Sequence, residues 1–235
     1  LNKNKEELSN ASISIGDLSL KSNENGVAKV ELFPASYDIK FSKEEYYELN
    51  KTFDISEENN SFTVFLNSQF INIDIQTIDE LTKKPLQVSI KKGKKGVNSD
   101  NYDKTNSNGR INYRLEKNQL YTFSIDEKNY EYFSFDLDTS NLSNSSFLFK
   151  LKRLNFETEF NLNVSQGVIN ITLKNQDESF KEIHFSENKI SLTLPYGDFN
   201  LSITSPNYRE FKKFLSINKD NKKFEFDLIP NFKKF

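Results

Sequence analysis

The chain of 235 residues has no Cys, no Met and no Trp, a single His, and only 7 Gly and 5 Pro. Without cysteine there is neither a disulfide framework nor thiol chemistry, and the redox compartment cannot be read from cysteine usage. A catalytic zinc takes about three protein ligands, normally rich in His, and a Ser-His-Asp triad needs one His as base. The lone His184 sits between Ile183 and Phe185 in strand-like sequence and reads as an ordinary strand residue. No apolar run approaches the roughly 18 residues of a membrane span, and no basic stretch followed by an apolar core marks a leader. The missing initiator Met points to a processed chain or part of something longer. With 32 basic against 34 acidic side chains, there is no global positive field for nucleic acid or an anionic membrane surface.

What is abundant is aromatic core material, 22 Phe and 10 Tyr, and this argues against disorder. The aromatics recur in order. "NENGVAKVEL", "NSNGRINYRL" and "SENKISLTL" each lead into a Tyr- or Phe-led stretch. From Gly26 to Leu32, Gly109 to Leu115 and Asn188 to Leu194 the interval is six residues each time; Tyr37, Tyr121 and Phe199 then precede Tyr46, Tyr130 and Tyr208 by nine. An internal repeat of this kind decides the architecture.

Each copy reads as strand, tight turn, strand. Asn-Gly supplies residues that tolerate positive φ, and Asn188 is the non-Gly residue best suited to take that place. Apolar residues alternate after each turn: Val30 and Leu32; Ile111, Tyr113 and Leu115; Ile190, Leu192 and Leu194. Period two puts one face of a strand into a core. The next strands carry Tyr37, Ile39 and Phe41; Tyr121, Phe123 and Ile125; Phe199, Leu201 and Ile203. Closing strands are expected at "SFTVFL" (61–66), "SFLFKL" (146–151) and "KFEFDL" (223–228). Helical periodicity is confined to a turn or two at "KEEYYEL" (43–49). The chain is therefore expected to be all-β, with three units at 1–67, 68–152 and 153–235. The joints "LNSQFIN" and "LKRLNFE" are short and lack Gly and Pro, which predicts a stiff rod of fixed spacing.

These motifs resemble the prealbumin-like (transthyretin-like) modules of the carboxypeptidase regulatory-like, CnaB and PEGA families. "FINIDIQTIDELTKKPLQVSIKKG", "TNSNGRINYRL" and "LYTFSIDEKNY" are similar to the opening strands, the turn with the third strand, and the fourth. "VINITLKN" with "LPYGDFNLSITSPNY" resembles a PEGA module. The resemblance implies small Ig-like β-sandwiches in an extracytoplasmic setting: periplasm, cell surface or secreted. The first unit departs from the pattern. "NKNKEELSNASISIGD" matches the loop and second strand, leaving almost no residues for the first strand. The expectation is a chain starting inside or just after that strand, and a first sandwich that is incomplete or borrows its edge.

Chemistry is sparse. "KSNENG" and "KTNSNG" have a calcium-loop flavour, yet Lys21 and Lys104 stand at the first ligand position and Leu32 and Leu115 at the twelfth, so they read as hairpin turns. Asp100 and Asp103 could form at most a weak cation site. A cross-link of the CnaB type needs a Lys on an early strand facing Asn or Asp on the last; "FINIDIQ" and "SFLFKL" supply no such pair. The basic run "KKGKKG", with Lys91, Lys92, Lys94 and Lys95, reads either as a contact for an anionic polymer or as a solvated loop beside an inserted stretch whose lysines deter edge pairing. Tyr46, Tyr130 and Tyr208 recur at one place and so read as packing residues; Tyr47 and Tyr132 are the candidates for surface contact. Basic and acidic residues number 7 and 12, 13 and 11, and 12 and 11 in the three units.

The resulting expectation is no enzyme and no cofactor: a structural and interaction segment of a bacterial envelope or surface protein, acting as spacer and as docking or adhesion module toward an envelope, surface, host or matrix protein. The alternative is the polysaccharide-binding accessory region of a larger secreted or surface enzyme.

Overall fold

The computed structural model describes residues 1–97, 101–142, 144–164, 169–175, 180–185 (backbone alone) and 188–231. Among them there is no helix, hence none long and apolar enough to cross a membrane. The first part carries β1 (Ser12–Ile15), β2 (Leu18–Lys21), β3 (Ala35–Ser42) and β4 (Leu49–Ile55) in one sheet of order β2-β1-β3-β4. The middle part carries β5 (Phe70–Asp79), β6 (Ser89–Lys94), β7 (Tyr102–Lys104), β8 (Arg110–Glu116), β9 (Leu120–Ile125), β10 (Phe133–Asp138) and β11 (Ser146–Leu151). They form two sheets, β10-β9-β6-β7 and β11-β5-β8. The last part carries β12 (Asn155–Asn163), β13 (Ile169–Asn175), β14 (Phe180–Phe185), β15 (Lys189–Pro195), β16 (Gly197–Ser205), β17 (Tyr208–Ile217) and β18 (Lys223–Asp227), again in two sheets, β14-β13-β16-β17 and β15-β12-β18. The protein is all-β, as its period-two patterning predicts.

The chain resolves into two compact units. One comprises Leu1–Asp74, Asn112–Tyr121 and Asp136–Phe147; the other comprises Ile75–Ile111, Thr122–Phe135 and Leu148–Phe235. In the second unit, Phe160, Leu162, Ile171, Leu173, Leu201 and Ile203 are among the buried residues of one large core. In the first, Ile15, Ile39 and Phe53 form a small core, with Ile13, Tyr37 and Phe41 partly buried against it. Register follows the alternation: Ile15 stands opposite Ile39 and Ile13 opposite Phe41, so the apolar members of β1 and β3 face one side together.

The Asn-Gly turns explain why the repeat is so regular. In the first, the Asn23 side-chain oxygen accepts from the amides of Asn25 and Val27, at 3.0 and 2.9 Å. In the second, Asn106 accepts from Asn108 and Arg110, also at 3.0 and 2.9 Å. Gly26 (φ 69°) and Gly109 (φ 67°) take the left-handed position. A third loop of this build occurs at Asn2, which accepts from Asn4 and Glu6, both at 2.9 Å. There Lys5 takes the left-handed position (φ 64°), so no Asn-Gly signal betrays it. Residues 186 and 187 of the predicted Asn188 turn lie outside the described residues, as does the side chain of His184 on β14.

Two expected strands are not formed. Val30 and Leu32 lie in an irregular segment, and so does "SFTVFL" at 61–66. Their counterparts β8 and β11 flank β5, and β15 and β18 flank β12. The first part has no strand in that central place. Two segments destined for opposite sides of a central strand have no ladder partner without it. Sequence alternation is present; the neighbour that would make it a sheet is not.

Candidate functional site

The recurring tyrosines stand at a backbone clasp used three times. Tyr46 bridges Ser68, Tyr130 bridges Arg153 and Tyr208 bridges Pro230, all antiparallel. Around each bridge the same two amides donate: Tyr47 to the Asn67 carbonyl and Gln69 to Glu45; Glu131 to Lys152 and Leu154 to Asn129; Arg209 to Ile229 and Asn231 to Asn207. Glu45 (φ 69°) and Asn129 (φ 76°) take left-handed backbone to aim those carbonyls. At two clasps the following hairpin joins in, with the Lys117 amide donating to the Gln69 carbonyl and the Tyr196 amide to that of Leu154. The tyrosine nine residues after each leading aromatic thus marks where the chain leaving an aromatic-led strand meets the segment that connects to the next part. The first joint lies wholly in the first unit and the second wholly in the second.

Side chains reinforce each joint differently. At the first, Arg114 forks onto Glu45, at 2.7 and 2.5 Å, and lies 4.3 Å from the centre of the Phe70 ring. This exposed pair holds the Glu45 carboxyl below its ordinary range, chiefly through the hydrogen bond from Arg114. The Lys117 ammonium donates to the Ser68 carbonyl at 2.8 Å, and burial lowers its pKa.

At the second joint the reinforcement is buried. Asp79, only 1% exposed, accepts from Arg153 Nε at 2.6 Å and from the Tyr130 hydroxyl at 2.8 Å through one oxygen. Its other oxygen accepts from the amides of Leu81 and Thr82, at 2.9 and 2.8 Å. Burial works against the carboxylate, but these hydrogen bonds outweigh it and leave the Asp79 pKa below the usual value. Burial and the bond to Asp79 push the Tyr130 hydroxyl well up. Arg153 also donates to the Tyr196 carbonyl at 3.0 Å. Gly197 takes φ 141°, a backbone conformation that other residues rarely adopt, and a Cβ there would stand 2.5 Å from the guanidinium and displace it. Neither Asp79 nor Arg153 is legible as a pair in the sequence, because the partners are 74 residues apart and belong to no periodic pattern.

The predicted contact residues are spread over the two units. Tyr47, 37% exposed, accepts a hydrogen bond from Asn118 Nδ2 at 2.9 Å. Tyr132 is 65% exposed. Lys91, Lys92 and Lys94 do not sit in a solvated loop: they belong to β6, an inner strand between β9 and β7, and only Lys95 falls in the turn beyond. The ladder with β7 explains the difference, because it places Lys91 opposite Tyr102, and long lysine stems lie along a sheet face while their ammonium groups reach water. The Lys91 ammonium stands 5.8 Å from the Tyr102 ring centre. Tyr102, 62% exposed, is a surface aromatic that sequence reading missed for want of any repeat partner. Asp100 lies outside the described residues. Among those described, no three His, Asp or Glu side chains gather as metal ligands.

No protein-family model matches the chain, and no curated protein matches it. Among solved structures it is similar to the Bacillus anthracis TIE protein, at 15% identity and a TM-score of 0.50 over 98% of this chain and 49% of that one. The chain thus spans about half the length of that structure. BcpA, the major pilin subunit of Bacillus cereus, matches at 11% identity and a TM-score of 0.35, covering 98% of this chain and 97% of that one. A streptococcal ancillary pilin matches at 12% and 0.34, covering 92% and 82%. At such identities only the first likeness bears on this chain, and it bears on the fold alone: the all-β arrangement is similar to that of part of the TIE protein.

Proposed function

We propose that the chain is a non-catalytic structural segment of a bacterial cell-surface or envelope protein, built of tandem prealbumin-like modules and serving as spacer and docking arm. The observation that carries this reading is the clasp. One backbone arrangement recurs at Tyr46, Tyr130 and Tyr208, and at two of them the next module's hairpin is bonded to it, which is how a chain of modules keeps its spacing. The motif resemblance to carboxypeptidase regulatory-like, CnaB and PEGA modules supports the extracytoplasmic setting, and the β-sandwich fold accords with it.

The test is surface display of the parent protein on its source cells. Antibody against this chain is expected to label intact cells, and external protease to release the segment. Labelling only after lysis would overturn the location. For the spacer role, small-angle scattering of the chain is expected to change on Arg153→Ala; an unchanged distance distribution would count against it.

A further inference from the structure

The first sheet of the chain borders an open groove of about 1040 Å³ with apolar walls on the sheet side. Its walls include Ile13, Ile39 and Phe53 from the sheet, with Val30, Phe62 and Val64 from the two irregular segments. The comparable position in the middle part is closed. Val30 is 43% exposed, whereas Tyr113, at the same distance after its turn glycine, is 5% exposed. The difference is the strand that lies between the corresponding segments in the middle and last parts, β5 and β12.

Leu1 already makes the end of such a strand. Its α-amino nitrogen donates to the Val64 carbonyl at 3.0 Å, and its carbonyl accepts from the Leu66 amide at 2.8 Å. Those two bonds are the pattern of a parallel ladder, with Leu1 opposite Phe65. β12 runs parallel to β18 in the same way, Asn163 opposite Asp227. The loop after Leu1 is a one-residue-shorter version of the loop after Ile78: the Lys5 amide donates to the Asn2 carbonyl three residues back, and the Lys83 amide to the Asp79 carbonyl four residues back.

We propose that the groove is an acceptor slot for a single β-strand, and that its occupant is the polypeptide joined to the amino side of Leu1. The pairing of Leu1 sets the strand's direction: parallel to 61–66 and antiparallel to 27–33. The ladders of β12 with β15 and β18 set its register, because Phe160 there stands opposite both Ile190 and Phe224. The third residue ahead of Leu1 therefore falls between Ala28 and Phe62. Thr158, Phe160 and Leu162 on β12 and Ile73, Ile75 and Thr77 on β5 are buried, so the first, third and fifth residues ahead of Leu1 face the core. The third and fifth are apolar or compact. This inference stands apart from the surface role and survives if that reading fails.

The experiment is amide hydrogen exchange on two chains, one starting at Leu1 and one carrying the residues its gene encodes ahead of Leu1. In the longer chain the amides of 28–32 and 61–65 are expected to exchange at least about tenfold more slowly, with backbone contacts from the third added residue to Ala28 and Phe62. Asp at that third position is expected to restore fast exchange in both segments and leave β16 and β17 unchanged. Equal exchange in the two chains, or a gene encoding nothing ahead of Leu1, would overturn the proposal. Protection appearing only when a separate protein is added would overturn the assigned occupant.

Discussion

At the scale of residues, the molecule's most consequential group is Asp79. Arg153→Ala leaves its carboxylate buried with one cation removed, a change expected to cost about 3–5 kcal/mol, measurable by denaturant unfolding of the second unit. The pH dependence has a definite sign. The folded pKa of Asp79 is depressed below its unfolded value of about 3.9, so its contribution is fully present above the unfolded value and is lost as pH falls through the folded one. Asp79→Asn is accordingly expected to flatten the acid limb of the stability curve and to leave its alkaline limb unchanged. Glycines offer a second comparison. A Cβ at Gly109 would stand 2.3 Å from the Thr77 carbonyl oxygen, whereas one at Gly26 meets nothing closer than the Leu8 amide at 3.0 Å. Both carry positive φ, worth about 1–3 kcal/mol of strain to another residue. Gly109→Ala is expected to exceed Gly26→Ala in cost, and equal losses of thermal stability would refute the steric account.

At the scale of elements, strands that alternate and have a ladder partner were legible, and strands that depend on an absent neighbour were not. β8, β9, β15 and β16 fall where alternation predicts them. Residues 27–33 and 61–66 alternate as well, yet remain irregular, because alternation reports a face and not a hydrogen-bonding partner. The same limit hid the lysine-rich end of β6, whose start the motif resemblance places in a strand, and the Asp79–Arg153 pair, which only the joint brings together. Core substitutions should expose this difference. Leu115→Ala, at a buried position of β8, is expected to cost about 2–5 kcal/mol. Val30→Ala, in its unsheltered counterpart, is expected to stay within about 0.5 kcal/mol in the chain starting at Leu1. A comparable loss for both, by denaturant titration, would mean that the first segment is ordered as a strand in solution.

At the scale of the whole molecule, core size is unevenly shared. Ile15, Ile39 and Phe53 form the small cluster of the first unit, while the large cluster of the second unit spans both its final sheets. Since buried apolar side chains contribute about 1.5–3 kcal/mol each, the first part should open well before the last. Calorimetry is expected to show more than one transition, with the amides of β1 to β4 exchanging ahead of those of β13 and β16. A single two-state transition would contradict that ordering. The clasp carries one further consequence. Its hydrogen bonds run from peptide group to peptide group, between Glu45 and Gln69, Asn129 and Leu154, and Asn207 and Asn231, positions at which no residue type is common to all three copies. Beyond the recurring tyrosine, a connection that each joint first makes through peptide groups makes few demands on side chains, so a module could be duplicated and each copy could acquire its own reinforcement, as Arg114 with Glu45 and Arg153 with Asp79 show.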